Sequence, residues 1–254
     1  MTAPSFKAEL ASGNIVPGVF VMEFASNGIG RIAAASGARF AVFDMEHTGW
    51  TAETIARLVA TTRLAQIAPV VRTPANQPWF VAQALDAGAA GVMAPSVNSA
   101  DEAEAVVANS KYPPDGRRGA TFGYAHDSYR PGDGAETMRR ANQTTVVIVQ
   151  IETASGLRNV DEIAAVPGAD VLWVGHNDLT ASLGIPGQFS HPDYLAALDV
   201  IVAAGNRHGK ACGFNAGTTQ QAVDMADRGF RAIAYSDIRL FSHALAHGVQ
   251  ALRR

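Results

Sequence analysis

The sequence predicts one (β/α)8 barrel over residues 1–254, an α/β fold, on three observations. The chain is 254 residues long, near the ~250 residues typical of that barrel. Eight short apolar runs can be counted, and nearly every one is followed by an amphipathic helical pattern. No Pro/Gly/Ser-rich linker divides the chain near its middle. Alternation of this kind makes a parallel sheet, and eight units close it.

In order, the expected strands are residues 17–23, 40–44, 68–71, 91–94, 145–151, 171–174, 211–214 and 231–234. Between them, residues 52–64, 100–108, 194–208 and 218–228 carry helical periodicity. Ser99 before DEAEAVV is an N-cap signal. Gly88, Gly168, Gly209 and Gly229 each fall just after a helical pattern, where a C-cap glycine belongs. One gap breaks the rhythm: residues 111–135 form a long Gly/Pro/Tyr/Arg loop, of the kind that is functional or disordered.

Composition narrows the class. Nearly half the residues are apolar, and a net charge of −3 argues against a nucleic-acid surface. A single cysteine, Cys212, leaves no internal disulfide framework and fits a reducing compartment. The N-terminal residues have no signal-peptide pattern, and no apolar run approaches the ~18 residues that span a bilayer. A soluble cytoplasmic protein is expected.

Barrel chemistry sits at the C-terminal strand ends. Those positions hold Glu23, Glu46, His47, Arg72, Ser96, Glu152, His176, Asn177, Asp178, Asn215 and residues 235–237, whereas the strand starts offer mostly Gly, Ala, Pro and Val. Glu152 and Asp178 end consecutive strands, so they converge on one sheet edge despite lying 26 positions apart. Either alone reads equally well as a helix N-terminal carboxylate. Together they suit a hard cation such as Mg²⁺; Mn²⁺ or Co²⁺ would accept the same oxygens. His47 suits a general base, with Asp86 as the candidate group that orients it, although both also read as ordinary structural residues. Arg72 directly follows a buried strand and needs an anion: a bound carboxylate or enolate, or a neighbouring acid such as Glu46.

Two other signals weigh less. Gly28-Ile-Gly30-Arg-Ile-Ala33 spells a dinucleotide fingerprint, but four residues separate it from Glu23, where the turn should follow the strand directly. A Schiff-base aldolase needs a lysine at the catalytic rim, and the chain's three lysines, Lys7, Lys111 and Lys210, are all placed elsewhere. A carbon–carbon lyase here would need a metal as its electron sink.

The segments FDMEH at 43–47, VVRTPAN at 70–76, KYPPDGRRG at 111–119, VQIET at 149–153 and GHNDLTASLG at 175–184 resemble the HpcH/HpaI family of metal-dependent class II pyruvate aldolases. The 2,4-dihydroxyhept-2-ene-1,7-dioate and 2-dehydro-3-deoxy-glucarate aldolases belong to this type. The resemblance runs in order over nearly the whole chain. It implies a barrel of the phosphoenolpyruvate/pyruvate-domain type that cleaves or forms 4-hydroxy-2-oxo acids through a pyruvate enolate. It further implies Glu152 and Asp178 as ligands of a divalent cation, Arg72 as the pyruvate-binding arginine, and His47 as the acid–base residue. His47 would be oriented by Asp86, with Asp44 in support. Gln150 and residues 175–178 would line the pyruvate pocket, with Ser96 and Asn215 beside them. Arg118 of the long loop, closing over the site or reaching a neighbouring subunit, would grip an acidic substrate tail. The partners implied are a small 2-oxo acid, an aldehyde, and further copies of the chain in a hexamer or trimer of dimers, with the helix in 236–254 packing on a neighbour. His176 and Asn177 stand where many relatives read Pro-Ala or Pro-Tyr, and Glu23 and Asn215 add polarity, so hydroxypyruvate or glyoxylate is an expected variant substrate. A decarboxylase of an oxaloacetate-like acid is the alternative on the same site, followed by a nicotinamide dehydrogenase and a non-catalytic sensor.

Overall fold

The computed structural model describes residues 5–130 and 132–253; residues 1–4, 131 and 254, which the expected domain and loop spans include, lie outside it. Eight parallel strands close into one barrel in sequence order, the last pairing back on the first. They are β1 (Val16–Val21), β2 (Phe40–Asp44), β3 (Ala68–Arg72), β4 (Gly91–Ala94), β5 (Val146–Ile151), β6 (Val171–Val174), β7 (Ala211–Ala216) and β8 (Ala232–Ser236). Three match the expected bounds and the others differ by one or two residues at either end. The helices are α1 (Phe6–Ala11), α2 (Ile29–Ala35), α3 (Ala52–Leu64), α4 (Pro78–Asp86), α5 (Ala100–Ser110), α6 (Gly134–Thr144), α7 (Ala154–Arg158), α8 (Val160–Ala165), α9 (His176–Ser182), α10 (Pro192–His208), α11 (Thr219–Arg228) and α12 (Asp237–Leu252).

Local chemistry sets these bounds. Side-chain oxygens of Thr51, Ser99, Asp133 and Thr218 accept from the backbone three residues on, opening α3, α5, α6 and α11. Pro192 occupies the first turn of α10, where its missing N–H costs nothing. Strand residues alternate between two cores. Phe20, Phe40, Val42, Val70, Met93, Ile148, Trp173 and Ala234 fill the barrel interior, while Val19, Val21, Ala41, Phe43, Val71 and Val92 pack with the helices. The N-terminal end is plugged by α1: Phe6 and Leu10 join the interior cluster, with the Phe6 and Phe40 rings 5.2 Å apart.

The long connection after α5 lies at that same plugged end, because α5 has run back from the C-terminal rim of the strands before the connection begins. Its short 3₁₀ turn (Ala125–Asp127) packs near the end of α3, where Arg63 reaches the Ala125 carbonyl and Ser128 Oγ. Residues 111–130 therefore do not cover the mouth of their own barrel, contrary to the expectation of a closing loop. The three lysines are at this end too: Lys7 pairs with Asp170 at 2.9 Å, Lys111 donates to the carbonyls of Asn142 and Thr145, and Lys210 to that of Val166. At the other extreme, α12 leaves β8 with Leu240, Phe241, Leu245 and Leu252 each half-exposed or more. Among the described residues, no helix is long and apolar enough to cross a membrane.

Candidate active site

Continuing the inward face of each strand by two residues turns the interior from apolar to polar. Val42 leads to Asp44, Val70 to Arg72, Ile148 to Gln150 and Glu152, Trp173 to Gly175, and Ala234 to Ser236. The same pleat that packs the core thus delivers the chemistry to one rim.

Asp44 and Arg72 are in register on adjacent strands. Asp44 is fully buried and takes two 2.8 Å hydrogen bonds from Arg72, through Nε and Nη2. It also accepts from the backbone N–H of Glu46 (2.9 Å) and of His47 (3.3 Å), so all its acceptor positions are used. Arg72 is aimed by this fork and lies over the Phe20 ring at 4.9 Å. Its Nη1 stands 3.0 Å from Glu46 Oε2, which in turn stands 3.7 Å from His47 Nε2. Burial raises the Glu46 pKa above the usual carboxylate range, against the pull of Arg72.

Glu152, just past β5, is also buried. Its Oε1 accepts from Ser96 twice, from N at 2.6 Å and from Oγ at 2.8 Å, and its Oε2 accepts from Gln150 Nε2. That leaves an acceptor position on Oε2 free. Gly175 makes room for this carboxylate, since a Cβ there would overlap Glu152 Oε2 and the Gln150 amide. Asp178, in the first turn of α9, is exposed to the cavity, and no hydrogen bond or ion pair engages it among the described residues. The described residues hold no cluster of three or more His, Cys, Asp or Glu placed to bind a metal, so any cation here rests on these two carboxylates with solvent or substrate oxygens.

The cavity above them has a volume of about 260 Å³. Phe20, Met22, His47, Arg72, Gln150 and Asp178 line one part of it, and His176, Asn215, Ser236 and Arg239 another. His176 stacks on Phe214 with centroids 5.5 Å apart, and burial pushes its pKa down to about 4. Gln150 Oε1, His176 Nδ1 and Asn215 Oδ1 are buried without hydrogen-bond partners, an unusual density of unmet polar atoms in one small space.

With that geometry in place, the comparisons are decisive about kinship. The HpcH/HpaI aldolase/citrate lyase model matches residues 18–244. The chain belongs to the HpcH/HpaI family. It is 36% identical over 240 residues to a hydroxypyruvate/pyruvate aldolase of Paraburkholderia phytofirmans, covering 91% of each chain. It is 34% identical over 241 residues to a 5-keto-4-deoxy-D-glucarate aldolase of Shigella boydii, covering 94% of this chain and 92% of the other. The structure of an HpcH/HpaI aldolase from Desulfitobacterium hafniense superposes with a TM-score of 0.93 at 30% identity, over 99% of this chain and 98% of that one.

Within this HpcH/HpaI barrel, His47, Arg72, Gln150, Gly175, His176, Asn177, Asp178 and Asn215 all line one cavity, with Asp44 and Glu152 directly behind its wall. Three expected roles change. Asp86 does not orient His47 of its own chain: it is the last residue of α4, so it lies at the plugged end, where Arg118 Nη2 holds it at 2.6 Å. Arg118 cannot grip a substrate tail in this cavity, because it is buried there between Asp86 and the Tyr112 ring, 4.5 Å away. Ser96 hydrogen-bonds Glu152 and does not line the cavity. Sequence reasoning passed over Arg239, which lies two positions beyond the strand-end residues it considered. Glu46, expected only as a partner for Arg72, also stands 3.7 Å from the His47 imidazole.

Proposed function

We propose that this chain is a class II, divalent-metal-dependent aldolase that reversibly cleaves 4-hydroxy-2-oxo acids into pyruvate or hydroxypyruvate and an aldehyde. The observation that carries the reading is the pair Glu152 and Asp178 from consecutive units: Asp178 lines the cavity that also holds His47 and Arg72, and Glu152, directly behind its wall, keeps one acceptor position open on Oε2. The donor set fits a hard cation: one oxygen position open on Glu152, an Asp178 without a partner among the described residues, and coordination left for solvent and substrate. Mg²⁺, Mn²⁺ or Co²⁺ held by these two residues would supply a Lewis acid for the 2-oxo group and for the charge that develops on cleavage.

The chain's own residues do the rest. The Arg72 fork, fixed by Asp44, keeps Nη N–H bonds directed at the substrate's carboxylate or 2-oxo oxygen, where they stabilise negative charge in place. Gln150 and the backbone at 175–178 line the pyruvate end. His47 lines the same cavity and takes the proton from the 4-hydroxyl as the C3–C4 bond breaks. Glu46, 3.7 Å from the imidazole, steadies the cation that forms. The buried floor of Phe20 and Trp173 strengthens these charge interactions by excluding water.

The test is cleavage of 4-hydroxy-2-oxo acids with added metal, with chelator, and in E152Q and D178N. Turnover should require the metal and both carboxylates; undiminished activity in EDTA would refute the reading. Oxaloacetate run in parallel separates aldol cleavage from decarboxylation. The reading extends to assembly. An apolar groove of about 800 Å³ runs between α2, β1 and α12, lined by Val19, Ile29, Ile32, Ala33, Leu240 and Phe241. With the exposed apolar residues of α12, it suits a second copy of the chain.

A further inference from the structure

Two arginines face the cavity, and they differ in one respect. Arg72 is engaged by Asp44 and Glu46, whereas no ion pair or side-chain hydrogen bond engages Arg239 among the described residues. We infer that Arg239 is a specificity-determining residue that takes an anionic group at the far end of the aldehyde acceptor. The inference rests on the aldolase reading above and names the acceptor class for that site.

Position supports it. Arg72 and Gln150 put the pyruvate end against β3 and β5, and β8, which leads into Arg239, stands three strands round the ring from each of them, while Asp178 beyond β6 and His47 beyond β2 each lie two strands from it. The acceptor end of a bound substrate therefore points across the barrel toward β8. The nearest acid in sequence, Asp237, forms no ion pair with Arg239 among the described residues. Its carboxylate already accepts from the backbone N–H groups of Met22, Glu23 and Phe24 at 3.0–3.2 Å and of Ile238 at 2.8 Å. The Arg239 side chain lies over Gly217, where a Cβ would come within 3.0 Å of Nη1. That places the guanidinium beside the β7 end, on which Asn215 Oδ1 is buried in the same cavity without a partner. A planar guanidinium binds a carboxylate or phosphate through paired N–H bonds, and the free Asn215 oxygen accepts from a hydroxyl of the same acceptor.

Arg118 is held at the opposite end of the barrel, so among the described residues Arg239 is the arginine that lines the cavity without an ion pair.

The test is pyruvate addition, with Mg²⁺ or Mn²⁺ present, to short ω-oxo carboxylic acids and to neutral aldehydes of equal length. Glyceraldehyde 3-phosphate against glyceraldehyde separates phosphate from carboxylate. The wild type should favour the anionic series, and in R239Q the anionic-to-neutral ratio of kcat/KM should fall about tenfold or more, mainly through KM. R239K should keep part of the preference. An unchanged ratio in R239Q, equal losses on both series, or a wild type without anionic preference overturns the assignment. Proton exchange of the pyruvate methyl group in D2O is read on each variant. Exchange that persists in R239Q locates the defect at the acceptor, whereas a wild type with no exchange removes the aldolase reading itself.

Discussion

Replacing Gly175 by alanine isolates the role of the Glu152 carboxylate without removing any functional group. Gly175 has φ −88°, a value any residue adopts, so the backbone itself tolerates a side chain. The added methyl would overlap Glu152 Oε2, its Cβ (2.5 Å) and Gln150 Nε2 (2.7 Å). Overpacking of this kind costs about 1–3 kcal/mol, well inside the ~5–15 kcal/mol that holds a domain together. Tm should therefore fall by roughly 2–12 °C while the barrel remains folded. Activity should suffer far more. The carboxylate must move by about an ångström, and misplacement on that scale costs on the order of 10²-fold in rate. The assay is pyruvate release over a range of Mn²⁺ concentrations, with calorimetric titration of Mn²⁺ and a thermal melt on the same sample. Weakened Mn²⁺ binding together with slow turnover is the expected pair. A G175A protein that binds Mn²⁺ and turns over like wild type would show that the Glu152 position is not what the reaction depends on.

Other outcomes follow from single contacts. D44A leaves the Arg72 guanidinium buried with only Glu46 beside it, and breaking a buried pair in this way should cost about 3–5 kcal/mol in urea unfolding, with loss of turnover. F241E or L245E, on the exposed apolar face of α12, should shift the chain toward monomer in light scattering; an unchanged mass would remove the proposed docking. Cys212 is buried, and burial pushes its thiol up to about 12. Folded protein at pH 8 should hence resist a thiol-reactive dye that labels the urea-unfolded chain promptly. The sign of the linked stability follows: folding favours the protonated thiol, so this contribution is complete below pH 9 and is lost as pH rises toward 12.

Much of this architecture could be read from residues alone, for identifiable reasons. Runs such as VVIVQI are apolar on both faces, which only a strand covered on both sides satisfies, and β5 is buried at all six positions. Glu152 and Asp178 were legible because they interrupt such runs at their C-terminal ends. Asp86 and Arg118 were misplaced because pattern reveals that a residue is on a helix or in a loop, but not which end of the barrel that part occupies. The reversal of direction along α4 and α5 decides it. Arg239 escaped because it lies within a helical turn, and a lone arginine in a first turn carries no mark in sequence. Only the folded arrangement shows that no ion pair engages it among the described residues. Ser96, expected beside the substrate, instead holds a carboxylate, since its backbone bends back at φ 52° to present both N–H and Oγ to Glu152.

The bonds from Met22, Glu23 and Phe24 to Asp237 join the first and last βα units through one side chain. The ring of strands is in this sense buttoned at its seam, on the rim that carries the proposed site. Loosening that button by D237N would be felt at the mouth before it was felt in the fold, as a drifting of Met22 and Arg239 away from whatever molecule had entered between them.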